Sequence, residues 1–169
     1  WMVSMLPFAT VVFAPIFGLL VDKIGHGTRW MLTGAVLALI AHLMLAFAPS
    51  GIPFYGYLSM VFLGFGYSLV PAAMWPSVPK IVPNKVLGTA YSLIYWVQNL
   101  GLMSFKMFAG KILADTNLDK GVSEAGAFWV EVMFVTVCVV ALLLALSLSV
   151  YSRRNPHLKI DLPDQSKAF

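Results

Sequence analysis

Five apolar stretches, each about as long as a bilayer is thick, dominate this chain of 169 residues. A helix that crosses the hydrocarbon core needs about 20 consecutive apolar residues. Residues 1–21 carry no charge, and residues 30–48 carry one titratable group, His42. Residues 54–79 are long and rich in Tyr, Gly and Pro. Residues 87–113 are apolar but include Gln98, Asn99, Lys106 and Lys111. Residues 128–151 contain the purest aliphatic run, with Glu131 near its start. Only 11% of the residues are charged, against about 25% in a soluble domain. Too few charges remain to cover a water-soluble surface. Hydrocarbon offers no partner to exposed backbone groups, so each stretch is expected to be helical. The predicted fold is an all-α membrane protein with a transmembrane unit over residues 1–151. Residues 152–169 are expected to form a polar, flexible tail.

The net charge of +4 matters less than its placement. Five spans put the two ends of the chain on opposite sides. Lys23, Arg29, Lys80, Lys85, Arg153, Arg154, Lys159 and Lys167 fall on one side, and Lys120 falls on the other. Cations in short loops mark the cytoplasmic side. The C-terminus and the turn after the first span are therefore expected in the cytoplasm. The chain opens at Trp1 inside an apolar run, with neither the charged start nor the cleavage site of a signal peptide. It reads as a fragment of a longer protein. Cys138 stands alone in an apolar run and forms no internal disulfide.

Two spans have a different character from the rest. In 54–79, Tyr67 and Trp75 accompany Pro71 and Pro76. Each proline removes a donor and frees an upstream carbonyl, which lipid cannot satisfy. The segment reads as a bent, cavity-lining helix, with a plain packing kink as the alternative. In 87–113, Ser92, Trp96, Asn99 and Lys106 recur at helical spacing, with Tyr91, Tyr95 and Gln98 on the adjoining strip. Substrate contact and simple helix glue are both open for these groups, and Lys106 is expected inside the bundle. Segments 30–48 and 128–151 suit lipid on most sides. Gly34, Ala38 and Ala41 offer a small-residue contact stripe. His42 is read as a packed, hydrogen-bonded histidine, with a proton site as the alternative.

Gly18, Asp22, Gly25 and Arg29 compose the turn between the first two spans. Gly18 would let another helix approach, while Gly25 and Gly27 would permit positive φ. Asp22 and Arg29 could pair as a latch between two helix bundles. This G-x-x-x-D-x-x-G pattern resembles the cytoplasmic signature of the major facilitator superfamily. There the basic residues follow the second glycine directly; here they are displaced to Arg29. A further stretch resembles the branch of that family containing a lysosomal dipeptide uniporter. It comprises Tyr67 to Pro76, Val82-Pro83, Leu87 to Tyr91 and Gln98 to Leu102. Lys106 departs from that branch, which usually has an apolar residue there.

The resemblance implies that the five spans are helices 8 to 12 of a twelve-helix fold. It also implies alternating access of two halves and transport of a small solute, plausibly a dipeptide. Trp75, Tyr67, Gln98 and Asn99 would line the cavity, with Tyr91, Tyr95, Trp96 and Lys106 as further candidates. Expected partners are the small-molecule substrate, the lipid bilayer and the missing N-terminal half. An accessory membrane subunit is a further candidate. The cell (inner) membrane and a lysosomal membrane both fit. A non-transporting membrane scaffold with the same fold is the rival reading. No HExxH, nucleophile–base pair, phosphate loop or cluster of metal ligands occurs. No enzyme activity, cofactor, metal or nucleic-acid partner is expected.

Overall fold

The computed structural model describes residues 2–49, 52–116 and 124–163. Trp1, Ser50, Gly51, Lys120 and Lys167 lie outside them. Five long helices follow in order: α1 Met2–Ile24, α2 Gly27–Phe47, α3 Pro53–Ile81, α4 Leu87–Thr116 and α5 Glu124–Arg154. Short 3-10 turns occupy Asn84–Val86 and Pro156–Leu158. Each helix is longer than the stretch read from sequence, although α2 stops at Phe47, one residue before the expected end. The connection between the third and fourth spans is short, since α3 carries Pro79 and Lys80 inside its last turns.

Among the described residues, four helices are long and apolar enough to cross a membrane: the stretches 7–24, 27–47, 53–81 and 124–154. Helix α4 falls short by composition, because Gln98, Asn99, Lys106 and Lys111 dilute it. Connectivity still requires it to cross. It begins beside the end of α3 and feeds the start of α5, whose own end returns to the α1–α2 turn.

Helix α3 is the centre of the bundle, packed between α1 and α2. Ser59, Ser68 and Ser77 are buried along it, and each hydroxyl donates to the carbonyl four residues earlier at 2.7 Å. Steps of nine residues put Ser68 on the face opposite Ser59 and Ser77, so α3 is enclosed on two sides. Against α2 the backbones nearly touch. A Cβ on Gly66 would lie 2.7 Å from the Gly34 carbonyl, and one on Gly34 would lie 2.7 Å from Val70. Ala41 of the same small stripe is fully buried. Helix α2 is thus a packed helix flanked by α3 and α5, not one facing lipid on most sides. On the α1 side, Phe13 and Phe17 close on Phe65 at 4.7 and 6.0 Å.

Helices α2 and α5 run antiparallel. Near one end, Phe47 meets Phe128. Next along, His42 Nδ1 pairs with Glu131 Oε2 at 2.7 Å while its ring stacks on Phe134. The His42 and Glu131 side chains are only 13% and 22% exposed. The histidine is therefore packed and paired, and its partner is the acid near the start of the aliphatic run.

At the other end, residues 156–163 of the expected flexible tail form a clamp, and residues 164–169 lie outside the described residues. After α5, residues 156–163 fold back across the α1–α2 turn. Ile160 is 1% exposed and is the largest of the fully buried side chains among the described residues. Helix α2 has no side-chain cap of its own at His26, and Asp161 supplies one from 133 residues away. Its Oδ1 accepts from the Thr28 backbone N–H at 2.9 Å and from Thr28 Oγ1 at 2.8 Å. Its Oδ2 accepts from Ser152 at 2.6 Å. The His26 N–H donates to the Asp161 carbonyl, and Lys80 donates to the Leu162 carbonyl at 2.7 Å. The physical reason for the fold-back is this set of unmet donors at the helix ends. Composition alone, polar and Pro-containing, hides it. Burial pushes the Asp161 carboxyl up, but hydrogen bonds from Ser152 and Thr28 and the nearby His26 outweigh it and hold the group below its ordinary value.

Asp161→Ala would leave the buried Thr28 and Ser152 donors unmet, at about 1–3 kcal/mol; the melting temperature of the solubilised protein measures this. A depressed carboxyl contributes stability that is complete above its unfolded value of about 3.9. That contribution fades as pH falls through the folded value. The stability gap between wild type and Asp161→Ala should therefore stay constant from about pH 8 to pH 5 and close only in stronger acid. For the second pair, His42→Ala should cost about 3–5 kcal/mol by stranding Glu131. The double variant His42→Leu/Glu131→Leu should regain most of it, and a double variant as unstable as the single would contradict this account.

Candidate functional site

The reversal between α1 and α2 is two residues long. Gly25 takes φ +71 and His26 takes φ 57, both left-handed. Gly25 ends α1 with its N–H on the Val21 carbonyl at 2.8 Å, the usual glycine termination. Its own carbonyl receives the Trp30 indole N–H at 3.0 Å. Any Cβ here would strike the clamp, at 2.6 Å from the Asp161 carbonyl and 2.7 Å from the Pro163 nitrogen. Glycine is thus demanded twice, by φ and by close approach. Gly27 was expected to share the positive φ; His26 takes that role instead. Gly27 opens α2, where a Cβ would press on Ser77 Oγ at 3.2 Å.

The remaining gate candidates lie on helices, not in the turn. Asp22 is in the last turn of α1, and Gly18 sits one turn earlier. A Cβ on Gly18 would meet nothing within 4 Å, so the helix expected to approach it is not one of the described five. Arg29, in the first turn of α2, is exposed beside Asp161 in a notch closed by the clamp. The acid that organises the turn is thus Asp161, which sequence reading placed in the tail. The detectable signal was only the unmet cap of α2: no Ser, Thr, Asp or Asn stands at position 26.

The second group of candidates forms a wall between α3 and α4. Tyr67, Pro71 and Trp75 follow at four-residue steps along one face of α3. Tyr67 is 53% exposed, and α3 is helical throughout the proline-bearing segment. Pro79 cannot donate to the Trp75 carbonyl, and the Tyr91 hydroxyl takes its place at 3.2 Å. Trp75 also stacks on Tyr95 at 4.7 Å and tilts against Tyr91 at 5.6 Å. These three aromatics bridge α3 and α4, whose contact is thin. Away from it the two helices diverge, and α4 leans on α5.

On α4, Tyr91, Tyr95, Gln98, Asn99 and Lys106 fall within an arc of roughly 100°. Trp96 lies beyond the edge of that arc, 61% exposed. Asn99 donates to the Tyr95 carbonyl at 2.8 Å, as expected of a polar group facing no partner helix. Gln98 and Lys106 are exposed. Lys106 was expected inside the bundle; within these five helices it is on an open face. Tyr67 lies two turns before Trp75 on α3, and Trp75 meets Tyr91 and Tyr95 on the α4 face that also carries Gln98, Asn99 and Lys106. These groups offer aromatic faces, an amide pair and one cation. Such a surface suits a small polar solute with an anionic group and an apolar side chain. Among the described residues no group of three His, Cys, Asp or Glu side chains could hold a metal ion.

Residues 1–168 match the family described as the Major Facilitator Superfamily. The chain is 38% identical over 141 residues to the lysosomal dipeptide transporter MFSD1 of Mus musculus, covering 83% of this chain and 27% of that protein. It is 36% identical over 140 residues to its Homo sapiens counterpart, again covering 83% and 27%. With the Bos taurus protein the identity is 42% over 130 residues, covering 77% and 25%. The chain spans about a quarter of the length of these relatives. Its all-helical architecture, its multi-pass apolar helices and this match agree, and the chain belongs to the major facilitator superfamily.

Proposed function

We propose that this chain is the second half of an alternating-access transporter for a small solute, with a dipeptide as the favoured substrate class. The observation that carries the reading is the α3–α4 wall. A chain that buries serines and glycines tightly along α3 leaves Tyr67, Tyr95, Gln98, Asn99 and Lys106 uncovered on one face. In lipid that face would be costly. Against a second helical bundle across a water-filled cavity it is a binding surface. The dipeptide specificity rests on the names of the mouse and human relatives. The chemistry of the wall is compatible, because Lys106 could meet a carboxylate while Trp75 and Tyr95 pack a side chain.

The α1–α2 turn is the gate component of this proposal. Asp22, Arg29 and the open surface at Gly18 would face the first half in one of the two states. The cation distribution supports a cytoplasmic turn and C-terminus. A lysosomal membrane is the favoured setting by similarity to the named relatives.

Three outcomes are expected of the full-length transporter in proteoliposomes. Asp22→Asn should slow dipeptide uptake while leaving equilibrium binding largely unchanged, and an unchanged uptake rate would count against the gate. Trp75→Ala should weaken dipeptide binding by about fivefold, the scale of a lost aromatic contact of about 1 kcal/mol. The protein should also melt at a higher temperature with dipeptide present. Absence of any dipeptide stabilisation, together with absent uptake, would favour the non-transporting scaffold.

A further inference from the structure

We propose that the notch between the α1–α2 turn, the end of α5 and the clamp is a binding site for a phosphate group. The cavity measures about 230 Å³. Three cations enter its lining from three separate elements: Arg29 from the first turn of α2, Arg153 from the last turn of α5 and Lys159 from the clamp. His26 completes the rim, with its Nδ1 3.2 Å from the Ile24 carbonyl.

The charge balance of this notch is the first argument. One carboxylate, Asp161, lies in it, and both of its oxygens are occupied by Thr28 and Ser152. The described ion pair His42–Glu131 lies elsewhere, and no described side-chain bond uses Arg29, Arg153 or Lys159. Three cations from separate elements therefore share a concave notch with one described carboxylate, Asp161, whose oxygens already accept from Thr28 and Ser152. The arrangement gains stability from a multivalent anion, and the planar guanidinium donors match phosphate oxygens as a fork.

The backbone supplies the second argument. Lys159 takes φ 53, a left-handed conformation uncommon for a residue with a side chain. It is held there by its N–H on the Pro156 carbonyl and by Leu162 donating to its own carbonyl. The fold thus accepts a strained lysine on the wall of a cationic notch. The third argument is depth. Arg153 ends a crossing helix and Arg29 begins another, which puts the notch at the level of lipid headgroups. Basic pockets at such positions suit phosphorylated headgroups. A soluble phosphate compound would present the same group. The inference uses the membrane placement of the chain but not its transport activity, so loss of either leaves the other standing.

The test is binding to the purified full-length protein. Nanodiscs of phosphatidylcholine alone, with phosphatidylserine, or with a phosphatidylinositol monophosphate are compared by lipid retention and melting temperature. Inorganic phosphate and a soluble inositol phosphate are titrated in detergent in parallel. The triple variant Arg29→Gln/Arg153→Gln/Lys159→Gln should bind the phosphorylated probe about a hundredfold more weakly, at roughly fivefold per cation removed. Its melting temperature without probe should hold, since none of these side chains makes a described structural bond. Retention of the phosphoinositide alone supports the proposal with a lipid source. Stabilisation by inositol phosphate or inorganic phosphate supports it with a soluble source. If the triple variant misfolds, Arg153→Gln and Lys159→Gln are read singly, each with a loss of about fivefold expected. Equal binding by wild type and these variants, or no preference of the wild type for phosphorylated probes over phosphatidylcholine, overturns it.

Discussion

A polar group inside a membrane has to find its partner within the protein, because the solvent offers none. Much of this structure follows from that demand. The three buried serines of α3 turn back onto their own helix. The carbonyl that Pro79 leaves unmet is taken up by a tyrosine from the next helix. His42 and Glu131 answer each other across α2 and α5. Among the described residues no buried side-chain nitrogen or oxygen lacks a partner. Closure of this kind lets α3 carry proline and serine through the bundle, and it leaves the uncovered polar wall of α4 as the exception that needs a function.

The close crossing of α2 and α3 and the clamp at their turn-side ends make one rigid block of α1, α2, α3 and the end of α5. At Gly34 and Gly66 the two helices lie so close that a Cβ on either glycine would meet the other's carbonyl at 3.1 or 2.7 Å. The clamp then ties that block to α5 through Asp161 and to α3 through Lys80. Helix α4 is held differently. Three aromatics anchor it to α3 near the turn side, and its remaining length rests on α5. Motion between α3 and α4 thus costs little buried surface, whereas motion within the block would break backbone contacts.

The architecture was legible because the apolar runs match the bilayer in length, and because positions such as Gly34 and Ala41 repeat at helical spacing. Gly25 was legible as a left-handed turn residue for the same local reason. Local patterns do not report long-range partners. Nothing near Asp161 marks it as the cap of α2, since the recipient lies 133 residues earlier. The pairing of His42 with Glu131 was hidden likewise, although each was noticed alone. Gly18 differs: a small residue invites a neighbour, and within the described helices none comes within 4 Å of a Cβ there. The wall residues were found by periodicity, while the clustering of Trp75, Tyr91 and Tyr95 required the α3–α4 crossing.

The distance in sequence between Thr28 and Asp161 also orders events in time. Membrane helices enter the bilayer as they emerge, N-terminal first. Helix α2 is therefore in place, with its first N–H groups uncapped and Gly25 uncovered, while α3, α4 and α5 are still being made. Its cap arrives only after α5, in residues 156–163. A chain cut before Asp161 leaves that helix end uncapped. The clamp thus joins the first turn of the described bundle to its last described segment only after every helix between them has been made.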